Sequence, residues 1–239
     1  MDIVKSLTPV ELSTQQGTQN TTKSDLIVQP VSPDKNPQAS ILQFSYSDDF
    51  IQNSTFYLTD DQISELSYGT SNYMLAYANY YLSQNSRIEY VHSKGHDPKF
   101  NPLQVPTTKM IQIDNSSFVG WLCYQANINN WTSEDACGNV EDLLNSQKLF
   151  TISTGEKTMT ITEKSSIIAK ATIGDLVFFD THKKNGSVGI FTGYRNGNYN
   201  FIIATGVSNN ITRSGIYEFQ FTDYWAQRFN GGIRAVIAR

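Results

Sequence analysis

From residue 176 onward the chain breaks into five short apolar runs, 176–179, 188–194, 199–204, 216–221 and 233–237, each of strand length and rich in β-branched or aromatic residues. Asn196-Gly197 separates the second run from the third. Both residue types accept positive φ, so the dipeptide specifies a tight hairpin. Strands joined this closely pair antiparallel, because a parallel pair needs a crossover of a dozen residues or more. One face of such a sheet then requires a cover, which the preceding sequence has to supply.

That preceding sequence is helical. Thr59-Asp60-Asp61-Gln62 is a capping-box pattern that predicts a helix to about Tyr68, ended by Gly69. Ser71 or Asn72 can cap a second helix to about Gln84, in which Tyr73, Tyr77, Tyr80 and Tyr81 recur at helical spacing and share a face. We read these tyrosines as core and groove lining. A third helix is predicted over 116–128, entered directly from 110–113, and a middle region carrying Trp131 and Cys137 is expected to end in a hairpin around Gly155. Helices first and an antiparallel sheet after them make the fold class α+β.

Residues 13–40 are almost entirely Ser, Thr, Gln, Asn, Asp, Lys and Pro, with few apolar side chains to offset the backbone entropy of folding. The expected organisation is an extended polar arm over residues 1–50 and one folded domain over residues 51–239. Other protein chains of a larger assembly are the expected partners of the arm, through the short apolar stretch Leu26, Ile27 and Val28 and contacts from Ile41, Leu42 and Phe44.

Composition narrows the functional classes. Asn, Gln, Ser and Thr together number 81, about a third of the chain, against 17% charged residues, so the surface hydrogen-bonds rather than pairs ions. A formal charge of −4, with no basic cluster beyond Lys183-Lys184, argues against nucleic-acid binding. No run is apolar enough for membrane insertion, and Met1-Asp2-Ile3-Val4-Lys5 lacks the features of a secretory signal, so synthesis in a cytoplasm is expected. Cys123 and Cys137 are too few for a disulfide framework and lack the histidine partners of a zinc site. Asp175, Asp180 and Asp223 have no metal-ligand spacing, and no metal or cofactor is expected.

Four segments, in order, carry a resemblance. Tyr77 to Gly95 holds a helix followed by Ile88-Glu89-Tyr90-Val91; Asp114-Asn115-Ser116-Ser117-Phe118-Val119 follows; then Gly174-Asp175-Leu176-Val177-Phe178-Phe179; then Gly186-Ser187-Val188-Gly189-Ile190-Phe191 with Phe201-Ile202-Ile203-Ala204. Together they resemble the NlpC-type cell-wall peptidases, papain-like cysteine enzymes that cut bacterial peptidoglycan stem peptides. The second segment is similar to the family's Asp-Cys-Ser-Gly-Phe-Val, the third matches its Gly-Asp-Leu-Val-Phe-Phe, and the fourth matches His-Val-Gly-Ile-Tyr and the strand after it. The resemblance covers about residues 70–239 and implies a papain-like domain with helices packed on an antiparallel sheet.

In that family the resemblance implies a cysteine nucleophile at a helix N-terminus, a histidine base on the facing strand and a polar group orienting it. Those positions fall on Asn115, Ser187 and Ile203. A carboxamide nitrogen delocalises its lone pair into the carbonyl and cannot attack as a thiolate does. The expectation is therefore a pseudoenzyme. Cys123 lies two turns inside the third helix, His92 and His96 flank Gly95, His182 precedes Ser187, and Ser116 and Ser117 have no histidine to activate them, so none replaces the lost set. A remnant groove is expected near Tyr90, His92, Asp114, Asn115, Trp121 and Ser187, able to hydrogen-bond a peptidoglycan peptide. The function expected is a non-catalytic component of an assembly that meets the bacterial envelope, such as a phage tail, ending in a virion or similar particle. The alternatives are a soluble binder of stem peptide and an active cell-wall hydrolase working through other residues.

Overall fold

The computed structural model describes residues 27–29, 43–45, 58–67, 72–105, 108–181, 186–208, 211 and 213–237. Within the expected arm these include one antiparallel strand pair, β1 (Ile27–Gln29) with β2 (Gln43–Ser45), in the register Ile27↔Ser45. The rest of the expected arm lies outside the described residues, as does His182.

Local signals build the helical half. In α1 (Asp60–Leu66) the Thr59 hydroxyl accepts from the Gln62 N–H and the Gln62 side chain returns the bond to the Thr59 N–H, closing the capping box. Asn72 caps α2 (Tyr73–Ser83) by accepting from the Leu75 N–H at 2.9 Å. Tyr77, Tyr80 and Tyr81 of α2 are buried as the spacing predicts, whereas Tyr73, in the first turn, is 46% exposed. The third helix, α3 (Asn115–Gln125), is buried at ten of its eleven residues, which makes it a core helix with no solvent face.

Two elements depart from expectation. β3 (Ile88–Tyr90) and β4 (Ile111–Ile113) form a two-stranded parallel pair. In the middle region α4 (Ser133–Ala136) and α5 (Val140–Leu144) lead to β5 (Phe150–Ser153), which makes no hairpin at Gly155 but pairs antiparallel with β10 (Phe229–Ala235). Gly155 lies against that strand, where an added Cβ would stand 2.9 Å from the Gly232 nitrogen. The partner of β5 is thus some eighty residues away in sequence and invisible to a local turn signal.

After α6 (Ile161–Ile168) come β6 (Leu176–Phe179), β7 (Ser187–Arg195), β8 (Asn198–Thr205) and β9 (Gly215–Gln220), with α7 (Asp223–Arg228) before β10. They make a six-stranded antiparallel sheet in the order β5-β10-β6-β7-β8-β9. Asn196 (φ 52°) and Gly197 (φ 80°) turn β7 into β8 as the dipeptide predicts.

Period-2 alternation divides the sheet between two cores. Leu176, Phe178, Val188, Ile190, Ile202 and Ala204 face α2 and α3, packing with Met74, Phe118 and Leu122. Val177, Phe179, Phe201 and Ile203 face the other way, against Ile168 of α6 and Trp225 of α7. Each large side chain so buried contributes about 1.5–3 kcal/mol. The sheet is therefore covered on both faces, which explains why its strands read as continuous apolar runs.

Candidate functional site

The site is built where α3 begins. Asp114 is its N-cap: Oδ1 accepts from the Ser117 N–H at 2.9 Å and from the Ser116 hydroxyl at 3.2 Å, while the Asp114 N–H donates to Ser117 Oγ at 3.2 Å. This aspartate, which the sequence reading placed in a groove, is 7% exposed and has its oxygens committed to the chain.

The loop leaving β3 folds onto this helix start. The Ser93 N–H donates to Asp114 Oδ2 at 3.1 Å, Lys94 O accepts the Ser117 hydroxyl at 2.7 Å, and Gly95 O accepts the Trp121 indole N–H at 2.7 Å. Trp121 is 1% exposed, so it pins the loop from beneath and does not line a groove, contrary to expectation. Burial of a large ring that still finds an acceptor for its N–H is the reason. Gly95 sits at φ 86°, and a Cβ there would stand 2.5 Å from Ser117 Oγ.

His96 closes the loop. Its Nε2 lies 2.7 Å from Asp114 Oδ2 and its Nδ1 lies 2.7 Å from the Cys137 carbonyl oxygen. A carbonyl and a carboxylate are both acceptors, so this geometry favours a ring protonated at both nitrogens, the imidazolium. The hydrogen bond to Asp114 raises the His96 pKa above its ordinary value, burial opposes this, and the Cys137 carbonyl and the charges of Asp114 and Asp142 add to the rise. Burial would push the Asp114 carboxyl up, but the bonds from His96 and Ser117 and the imidazolium charge together hold it below the usual carboxylate range. The surroundings of His96 therefore favour its cationic form.

Asn115 is the first residue of α3 and is 5% exposed. Its Oδ1 accepts from the Val188 N–H at 3.3 Å, tying the helix start to the beginning of β7. The β7–β8 ladder starts only at Ile190↔Ile202, which leaves Val188 to donate to this side chain. Ser187, half-buried at the strand's first position, pairs with Phe179 and so shares the sheet face of Phe179. Ile203 is fully buried on that same face, in the α6 and α7 core, where it takes part in no polar contact. Gly189, in the Val-Gly-Ile motif, allows the close strand contact, since a Cβ there would be 2.9 Å from the Phe201 ring. The structure thus brings Asn115 to the start of β7, while Ile203 belongs to the opposite core.

Tyr90 ends β3 half-buried and beside Asp114, and burial followed by that carboxylate's charge pushes its hydroxyl pKa up. Gly206 lets its ring lie close to the chain after β8. His92 is exposed in the turn after β3.

Burial disfavours the thiolate form of both cysteines. Cys123 is fully buried, its thiol 3.5 Å from Met74 Sδ, and burial drives its pKa far up. Cys137 is half-buried, and burial together with the charges of Asp97 and Glu134 raises its pKa as well. Among the described residues no group of His, Cys, Asp and Glu could hold a metal ion, and no helix is long and apolar enough to cross a membrane.

Comparison with known proteins agrees with this architecture. Peptidoglycan DL-endopeptidase CwlO of Bacillus licheniformis is 35% identical over 85 residues, covering 35% of this chain and 17% of that protein, so the shared stretch is under a fifth of the relative's length. No solved structure matches. The profile of the NlpC/P60 family matches residues 106–234, more than half of the sequence, a span that runs from the approach to α3 through all six strands of the sheet but the last residue of β10. The chain belongs to the NlpC/P60 family.

Proposed function

We propose that this chain is a non-catalytic member of its family, a pseudoenzyme that serves as a structural or binding part of an assembly meeting the bacterial envelope, most simply a phage tail or related particle. The observation that carries the reading is Asn115. The residue at the helix start where the family resemblance expects a nucleophile is a carboxamide whose oxygen is engaged by Val188. Supporting it, Ser187 and Ile203 stand where a base and its orienting group are expected, two acceptors favour the cationic form of His96, and both thiols are disfavoured as thiolates. Loss of nucleophile and base together removes on the order of 10⁶ in kcat.

The test is incubation of the purified protein with peptidoglycan and with isolated stem peptides. No cleavage is expected. Turnover abolished by Cys123→Ala or Cys137→Ala would replace this reading with that of a hydrolase using a displaced thiol. The assembly half of the reading rests on the composition of residues 13–40, and deletion of residues 1–40 is expected to leave a folded domain that no longer incorporates into its particle. Normal incorporation of the truncated chain would refute it.

A further inference from the structure

A cleft of about 570 Å³ opens at the edge of the sheet, where the start of β8 and the end of β9 meet α7, and it shares no residue with the start of α3. That volume lies within the range of about 300–1,000 Å³ in which proteins hold small ligands. Its apolar wall is largely aromatic, formed by Phe219, Tyr224 and Trp225. Trp225 is anchored edge-on against Phe201, the ring centroids 5.0 Å apart, and the Arg228 guanidinium lies 3.7 Å over the Tyr224 ring, so both rings are held in place. The polar wall carries hydrogen-bonding groups that the fold leaves unused. Asn200 lines the cleft and is only 2% exposed. Its Nδ2 donates to the Asn198 carbonyl at 2.8 Å, whereas its Oδ1 accepts from no described group and keeps contact with solvent. An acceptor so placed calls for a donor from whatever fills the cleft. Gln220 and Thr222 stand exposed beside it, and neither the Gln220 carboxamide nor the Thr222 hydroxyl, which makes no cap bond to α7, has a described partner.

We propose that this cleft binds a neutral carbohydrate, one or two pyranose rings of an oligosaccharide. The inference does not depend on whether the start of α3 is catalytic. Charge argues against ionic ligands. Glu218, which lines the cleft, is paired with Arg195 and accepts the Thr192 hydroxyl on the same oxygen, and no cation is among the described lining residues. A neutral ligand has to match two carboxamides and a hydroxyl, groups that between them both donate and accept. Sugar hydroxyls do the same, so one can donate to Asn200 Oδ1 while others exchange bonds with Gln220 and Thr222. A pyranose ring also has an apolar face of C–H groups, whose slightly positive hydrogens suit the negative face of an aromatic ring. A peptide offers one backbone donor and one acceptor per residue, whereas a pyranose sets several hydroxyls around one apolar face, which is the pattern of this lining.

Cellobiose and N,N′-diacetylchitobiose are the probes, with N-acetylated trialanine amide as a neutral peptide control. Titrations of the full chain are followed by the backbone and side-chain NH signals of ¹⁵N-labelled protein. Saturable shifts at the Asn200 and Gln220 carboxamides and the Thr222 N–H are expected with at least one disaccharide, at concentrations where the peptide moves none of them. Thr222→Val and Gln220→Ala alter exposed side chains outside the core. Each removes a neutral hydrogen bond to the ligand and is expected to weaken binding by about two- to tenfold, the range that one net hydrogen bond sets. Tyr224→Ala removes an aromatic face and is expected to abolish saturable binding. No saturable shift with either disaccharide, shifts confined to other residues, the same signals moved equally by the peptide, or undiminished binding by a folded Thr222→Val, Gln220→Ala double variant would each overturn the proposal. The two exposed substitutions and the peptide control decide even if Tyr224→Ala fails to fold. Neither disaccharide carries a stem peptide, so these outcomes leave the non-catalytic reading to its own test.

Discussion

Replacing His96 by alanine removes a cation that bridges three segments: the loop after β3, the cap of α3 and the carbonyl of Cys137 beyond α4. Each bond is 2.7 Å long and is charge-assisted, a class that contributes about 1.5–3 kcal/mol apiece. The His96 side chain is 25% exposed, so water competes and the low end applies, giving a loss of about 2–3 kcal/mol for the pair at pH 5.5. The sign of the pH dependence follows from the direction of each shift. The folded His96 pKa is raised, so its contribution is whole below the unfolded value of about 6.5 and is lost as pH rises through the folded value. The folded Asp114 pKa is lowered, so its contribution is whole above the unfolded value of about 4 and is lost as pH falls through the folded value. The pair stabilises most between those limits, and Asp142, whose charge also favours the imidazolium, acts in the same direction. Above the folded His96 value a neutral ring retains a single donor, and His96→Ala should then cost only about 1 kcal/mol. Urea unfolding of wild type and variant at pH 5.5 and pH 9 measures both differences. An equal loss at the two pH values, or a greater one at pH 9, would show that the fold does not favour the imidazolium form of His96.

Gly95→Ala combines a left-handed φ with a Cβ 2.5 Å from Ser117 Oγ and should lower stability by about 2 kcal/mol or more, read as a fall in urea midpoint with unchanged slope. Cys137, half-buried, should be alkylated in the native protein, and Cys123 only on unfolding, which mass spectrometry of iodoacetamide-treated protein will show. Ile203→His would place a polar ring in the apolar core against α6 and α7 and should cost about 2–3 kcal/mol, seen as a lowered Tm.

Elements specified by neighbouring residues were legible in the sequence. The Asn196-Gly197 hairpin, the Thr59 capping box and the Asn72 cap all act within four residues, and the structure forms each of them. Elements specified at a distance were not. β3 and β4 are three residues each and pair across 23 positions, too short for an alternation to declare itself. β5 pairs across some eighty residues with β10. The helix that opens the site was readable at its start, though one residue earlier than expected, because Asp114 and Ser117 cap each other reciprocally. The remaining contacts of the site were not readable: His96 reaches Asp114 across 18 residues and Cys137 across 41. Burial likewise removes Trp121 and Asp114 from any groove through contacts made by the fold.

What the site has kept is explained by what asparagine can do that cysteine cannot. A thiol sulfur is a weak acceptor, whereas a carboxamide oxygen is a full one. At position 115 the oxygen engages the Val188 N–H just beyond the point where the β7–β8 ladder begins, a buried donor that would otherwise lack a described partner. An unsatisfied buried N–H costs about 1–3 kcal/mol, comparable to the effect of a single core substitution. Asn115 therefore stabilises the seam between α3 and the sheet. Ile203 follows the same logic, adding apolar burial to the opposite core where the family resemblance expects a polar group. Both side chains therefore add to the cohesion of the fold, Asn115 by a hydrogen bond across the α3–β7 seam and Ile203 by apolar burial on the opposite face of the sheet.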